Sequence, residues 1–188
     1  MRPGHFTAES ETAQRSGSEP PRQLDPDSLA THVDRMYRAA YGLCGSRQDA
    51  EDLVQDTYER VLRRPRFLRR DGDLAYLLRV MRNTWISSRR TGRVPTVPDA
   101  GEEIEQLAGH GDPIGDSLQI APVYEALREL SQPLREAVVA VDVIGLSYRD
   151  AARALGCKQG TIMSRLSRGR GQIASRLVQA DAAALAAG

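Results

Sequence analysis

Apolar side chains recur at three- and four-residue intervals along most of the 188-residue chain, the spacing of helices with one buried stripe. The stretch from Leu134 to Leu177 shows it most clearly. Ser147 followed by Asp150 is a capping-box pattern: the hydroxyl satisfies an orphan amide, and the acid sits at the positive end of a helix. Tyr148, Ala151, Ala152 and Leu155 then fall on one stripe. Gly156 supplies a residue free to take positive φ at a helix-ending turn. A second helix follows, with Ile162, Leu166, Gly169, Ile173 and Leu177 along one side and Gln159, Thr161, Ser164, Arg165 and Arg168 along the other. Two helices joined by a glycine turn, the second basic outside, make a helix-turn-helix.

The same reading upstream predicts four further helices and part of a fifth. One starts near Asp27 or Ser28, carries Val33, Met36, Tyr37, Ala40 and Tyr41 inward, and ends at Gly42 or Gly45. Ser46 with Asp49 is a second capping box, opening a helix over Arg47–Arg63 with Ala50, Leu53, Val54, Thr57 and Val61 inward. Asp73 can cap a helix over Leu74–Arg90, with Leu74, Leu77, Leu78, Met81 and Trp85 inward, while Tyr76 is undecided between core and surface. Val123–Leu130 and Pro133–Ile144 lead into the helix-turn-helix. No stretch of note alternates with a period of two, so the fold class expected is all-α.

Composition divides this helical chain. Residues 1–25 are rich in Gly, Pro, Ser, Glu and Arg and read as a disordered arm. From Asp99 to Asp116 there are six acids and no Lys or Arg, among Gly and Pro, which reads as a flexible acidic linker. The expected organisation is two small helical domains, residues 26–93 and 120–178, joined by a linker over 94–119 and followed by an Ala-rich tail over 179–188.

Net charge is only +1, but its distribution carries information. Between Tyr58 and Arg93 eleven Arg face three acids, a local net of +8. A basic patch that also holds Phe67, Tyr76, Asn83 and Trp85 has the composition for backbone attraction and base stacking. The helix before it presents Asp49, Glu51, Asp52, Asp56 and Glu59 on its outer side, with Gln55 among them. That face is either simply solvated or a docking surface for a basic partner; periodicity does not choose. The basic face of the last helix is likewise either solvated or reads DNA, and the Thr, Ser and Gln beside its arginines suit phosphate and base-edge contacts.

Other function classes find little support. His5, His32 and His110 are scattered without metal-ligand spacing, and no His, Cys, Ser or carboxylate constellation suggests an enzyme, so neither a cofactor nor a metal is expected. No apolar run has membrane-spanning length, and the first 23 residues lack the apolar segment of an export signal. Cys44 and Cys157 are therefore expected to stay reduced, in a cytoplasmic protein without membrane insertion.

Three blocks resemble one family. DAEDLVQDTYERVL (49–62), LLRVMRNTWISSRR (77–90) and LRELSQPLREAVVAVDVIGLSYRDAARALGCKQGTIMSRLSRGR (127–170) are similar, in this order and spacing, to regions 2.1–2.2, 2.4 and 4 of the extracytoplasmic-function (ECF) sigma factors of bacterial RNA polymerase. The resemblance covers roughly residues 28–93 and 122–177. It implies a dissociable specificity subunit that performs no covalent chemistry. By the resemblance, Asp49, Asp52, Gln55, Asp56 and Glu59 dock on the β′ clamp helices of core polymerase, with the β flap as a further contact. Arg64, Arg66, Phe67 and Arg69 grip a flipped base of the minus-10 element, and Arg79, Arg82 and Asn83 contact the same element as single strand. Lys158, Gln159, Thr161, Ser164, Arg165 and Arg168 read the minus-35 element as duplex. Members are commonly restrained by a cognate anti-sigma factor, so that partner is a candidate here. The chain departs from the family pattern at Ser87, where Asp is usual, and at Tyr76, where Trp is common. The alternative from another class is a free-standing helix-turn-helix regulator, which has no need of the acidic helix face.

Overall fold

A computed structural model of the chain describes residues 22–24, 26–63, 67–68, 72–90 and 117–187. The described residues are helical apart from turns and one short ladder. The elements are α1 (Pro26–Ala30), α2 (Val33–Cys44), α3 (Arg47–Leu62), α4 (Asp73–Arg90), α5 (Ser117–Glu129), α6 (Gln132–Val138), α7 (Tyr148–Leu155) and α8 (Gln159–Ala187). Between α6 and α7, residues Val139–Val143 form a π-helical turn, with the Ile144 amide donating to the Val139 carbonyl at 3.0 Å. The ladder pairs β1 (Arg22–Gln23) antiparallel to β2 (Phe67–Leu68), with Arg22 opposite Leu68. Two residues are too few to leave a period-two signal, and none was read from the sequence.

The caps form as their spacing predicts. The Asp49 amide donates to Ser46 Oγ at 3.2 Å, and the Asp150 amide to Ser147 Oγ at 3.1 Å. In each box the hydroxyl in turn donates to the carboxylate three residues on, at 2.9 Å to Asp49 Oδ2 and 2.6 Å to Asp150 Oδ2. Gly45 ends α2 at φ 83° with its amide on the Tyr41 carbonyl, and Gly156 ends α7 at φ 66°. Each is a left-handed C-cap, where a Cβ is strained.

Two stripe members fall outside the core. The first predicted helix breaks at Thr31–His32 into α1 and α2, leaving Val33 at the start of α2 and 41% exposed. Tyr148, first residue of α7, is 36% exposed. Both lie in a first helical turn, where the stripe has not yet reached the packed surface. Trp85 is 1% exposed and belongs to the core, while Tyr76 is half-buried with the Arg79 guanidinium 5.6 Å from its ring centroid.

One hydrophobic cluster runs from Leu24 to Leu166, so both helical segments share a core. α2, α3 and α4 pack on one another, α6 and α7 pack on α8, and the two groups meet where α2 lies on α5 and the π turn, and α4 on α7. Small residues set two of these crossings. A Cβ on Gly42 would lie 3.0 Å from Leu127 Cδ2 and 3.2 Å from Val139 Cγ2; one on Gly169 would lie 2.8 Å from Val138 Cγ2. Tyr41 and Tyr124 make an edge-to-face pair across the first contact, 5.1 Å between centroids.

Candidate nucleic-acid and partner interface

Three surfaces hold the residues singled out by sequence. On α3, Ala50, Leu53, Thr57 and Val61 turn inward, which leaves the acids outside. Asp49 is half-buried and serves the Ser46 cap, and Glu59 is engaged by Arg63 at 3.2 Å and by Gln55 Nε2 at 3.4 Å. Asp52 and Asp56 are exposed and make no ion pair among the described residues. Together with Asp49, Leu53 and Gln55 they rim a cleft of about 280 Å³ between α3 and α4, walled by Cys44, Thr84, Trp85 and Ser88. Burial pushes the Cys44 thiol up to about 12, and the nearby Asp49 adds to the shift. What the face offers is a short row of solvated carboxylates beside a groove, suited to a cationic helix.

The second surface is α4. Asn83 is exposed and Arg79 is half-buried against Tyr76. Arg82 is not a freely solvated cation: its Nε donates to Glu136 Oε2 at 2.8 Å, across the contact between the two helical groups. Arg64, Arg66 and Arg69 lie outside the described residues, as does the side chain of Phe67, whose backbone forms part of β2. The predicted minus-10 set is thus visible as the Arg79–Arg82–Asn83 group alone.

The third surface is the exposed side of α8. Ile162, Leu166 and Gly169 are buried, so the helix projects Gln159, Gly160, Met163, Ser164, Ser167 and Arg168. Lys158 is exposed and caps the helix through its carbonyl, which accepts from Thr161 at 2.9 Å and Ile162 at 3.2 Å. Ser164 Oγ donates back to the Thr161 carbonyl at 3.0 Å, and Arg168 Nε to the Ser164 carbonyl at 3.2 Å. Thr161 and Arg165 are only half-exposed, on the flank of this face, with Arg165 Nη1 3.9 Å from Cys157 Sγ. Met163, absent from the sequence-based set, is 53% exposed near the centre of the face. The inward register of Ile162 and Leu166, already legible in the sequence, leaves Met163 outside the stripe, and that was the signal that could have found it. Arg170 grips Asp142 of the π turn through two contacts, Nε to Oδ2 at 3.0 Å and Nη2 to Oδ1 at 2.5 Å, anchoring α8 to its support.

Among the described residues no group of His, Cys, Asp or Glu could hold a metal ion, and no helix is long and apolar enough to cross a membrane.

Comparison with known proteins gives a consistent result. The Sigma-70 region 2 family matches residues 29–94, and the Sigma-70, region 4 family matches residues 120–173. The chain is 37% identical over 158 residues to the ECF RNA polymerase sigma factor SigE of Mycolicibacterium smegmatis, covering 79% of this chain and 59% of that protein. It is 32% identical over 152 residues to the ECF RNA polymerase sigma factor EcfG of Rhodopseudomonas palustris, covering 80% and 83%. Among solved structures, the sigma factor RpoE in complex with the anti-sigma factor NepR from Bartonella quintana is similar at a TM-score of 0.63 and 30% identity, covering 80% of this chain and 94% of that one. CnrH in complex with the cytosolic domain of CnrY shares the fold at a TM-score of 0.58 and 23% identity, covering 82% and 87%.

Proposed function

Because the chain belongs to the ECF sigma factors of RNA polymerase, we propose that it binds bacterial core polymerase through the acidic face of α3 and confers promoter choice on it. α8 enters the major groove of the minus-35 element, and α4 with the loop before it holds the melted minus-10 strand. The observation that carries this reading is the pairing, on one chain, of the solvated acids Asp52 and Asp56 with a helix-turn-helix whose outer face is polar and basic. A regulator that binds DNA alone has no use for the first.

The roles follow from the chemistry of each face. Carboxylates meeting a basic helix supply orientation and a fast on-rate more than raw affinity. On α8, Arg168 and Lys158 supply phosphate attraction, Gln159 and Ser164 supply base-edge contacts, and Met163 offers an apolar surface to a thymine methyl. On α4, Asn83 and its neighbours hold an unstacked strand, offsetting a few kcal/mol of unstacking. All covalent chemistry belongs to the polymerase, and the protein acts in the cytoplasm where polymerase and promoters are. By analogy with the relative bound to the anti-sigma factor NepR, an anti-sigma factor is the regulator this reading assigns to it.

Run-off transcription with purified core polymerase on a pool of genomic promoter fragments tests the reading. Transcripts that appear only on addition of this protein are the expected result, and their start sites yield both promoter elements. Silence together with tight DNA binding by the protein alone would instead make it a free-standing regulator. Reversing Asp52 and Asp56 to Arg is expected to abolish co-purification with core polymerase while far-ultraviolet circular dichroism stays unchanged; retained binding would remove α3 as the docking face.

A further inference from the structure

Arg82 lies on the surface assigned to the minus-10 strand, yet its guanidinium holds Glu136, a residue of the helix-turn-helix half. Glu136 is buried, its side chain 2% exposed, with Oε2 on Arg82 Nε at 2.8 Å and Oε1 on Gln132 Nε2 at 2.8 Å. Both carboxylate oxygens are thus satisfied, as a buried charge requires. Arg135 fastens the same contact from the other side. It donates to the Leu43 carbonyl of α2 at 3.1 Å, and to the Leu127 and Leu130 carbonyls of its own half at 3.1 and 3.2 Å. Gly42 lets α2 approach Leu127 and Val139 as closely as the bare backbone permits, and α4 is covered by α7, the first helix of the helix-turn-helix.

This body is too small to do what the two reading surfaces must do together. Elements centred at minus 35 and minus 10 are about 25 base pairs apart, or about 85 Å along the duplex at ~3.4 Å per step. A compact body of the described size has a radius of gyration of about 14 Å. Promoter reading therefore requires the two halves to part.

We propose that the packed form is a self-locked resting state in which Glu136 occupies, on Arg82, the place of a DNA backbone phosphate. A carboxylate and a phosphate make the same charge-assisted contact with a guanidinium, so the lock and the promoter strand compete for one side chain. Engagement by core polymerase and promoter separates the halves, and Glu136 gives up Arg82 as they part. The proposal rests on the sigma-factor reading above and adds to it an internal competitor.

The test uses the full-length chain and its Glu136→Gln variant, which keeps the side-chain volume and the Gln132 contact but removes the charge. The probe is the single-stranded minus-10 sequence taken from a promoter found by run-off transcription, and binding is measured without core polymerase. Since apparent affinity scales with the competent fraction, unlocking is expected to tighten binding about tenfold and to raise the radius of gyration seen by small-angle X-ray scattering. Holoenzyme made with the variant, already open, is expected to transcribe as the parent does. Gly42→Val prises the same interface apart by bulk, at a site that touches no charge, and is expected to give the same opening; it decides the matter should Glu136→Gln fail to fold. Arg82→Ala is expected to open the body without any gain in affinity. Equal strand affinity and equal radius of gyration in parent and variants, with holoenzyme active, would overturn the lock while leaving the sigma reading intact. Inactive parent holoenzyme would strike at the reading itself.

Discussion

Gly169 and Gly171 sit two residues apart in α8, and the structure predicts opposite outcomes for the same substitution. Ala is favoured over Gly in a helix interior by about 1 kcal/mol. A Cβ at Gly171 meets nothing within 4 Å, so Gly171→Ala is expected to stabilise the fold by about that amount. At Gly169 the new Cβ would lie 2.8 Å from Val138 Cγ2 and 3.6 Å from both Leu130 Cδ1 and the Leu134 carbonyl oxygen. Val138 is 5% exposed and cannot swing away. Overpacking of this kind costs about 1–3 kcal/mol, which outweighs the propensity gain. Gly169→Ala is therefore expected to destabilise by up to about 2 kcal/mol, putting the two variants about 1–3 kcal/mol apart. Urea unfolding followed by far-ultraviolet circular dichroism measures both. In a Val138→Ala background the clash is gone, and Gly169→Ala is expected to become stabilising, a coupling of about 1–3 kcal/mol in the double-mutant cycle. Equal stabilities for Gly169→Ala and Gly171→Ala in the parent would refute the claim that α6 and α8 cross at contact distance. The consequence for function is direct, because that crossing fixes the angle at which the exposed face of α8 meets DNA.

The other predictions concern three single groups. Replacing thymines of the minus-35 element one at a time by uracil, which lacks only the methyl, is expected to weaken binding at one position by about 0.8 kcal/mol; that sensitivity should vanish in Met163→Ala, and its persistence would free Met163 of the role. The Cys44 thiol, pushed up to about 12 by burial and flanked by Asp49, Asp52 and Asp56, is expected to react far more slowly than Cys157 with an anionic disulfide reagent at mildly alkaline pH, and equal rates would contradict its burial. Because its folded pKa is raised, Cys44 favours folding below about 9 and loses that contribution between about 9 and 12, so Cys44→Ala should flatten the alkaline limb of stability. The hydrogen bond from Ser147 and then the Arg153 contact hold the Asp150 carboxyl below its ordinary 3.8. Its contribution is therefore present above that pH and lost as pH falls through the lowered value, and Asp150→Asn should remove part of the acid-side decline.

What could be read in the chain alone was what acts within one or two helical turns. Ser46 with Asp49, Ser147 with Asp150, and Gly156 announce their helix ends because donor, acceptor and turn lie within a few residues of each other. The buried stripes of α3, α4 and α8 follow from helical periodicity, and Trp85 fell where that periodicity placed it. The acidic face of α3 and the polar face of α8 are the complements of those stripes, so they too were legible. Tertiary structure decided the rest. Glu136 meets Arg82 across 54 residues, Arg135 reaches Leu43 across 92, and Gly42 serves as a contact point between helices where sequence offered it as a possible helix end. Periodicity states which face of a helix is covered but not by which partner. A polar residue at the edge of a stripe therefore looks the same in sequence whether it meets water, DNA or a carboxylate from the other half of its own chain.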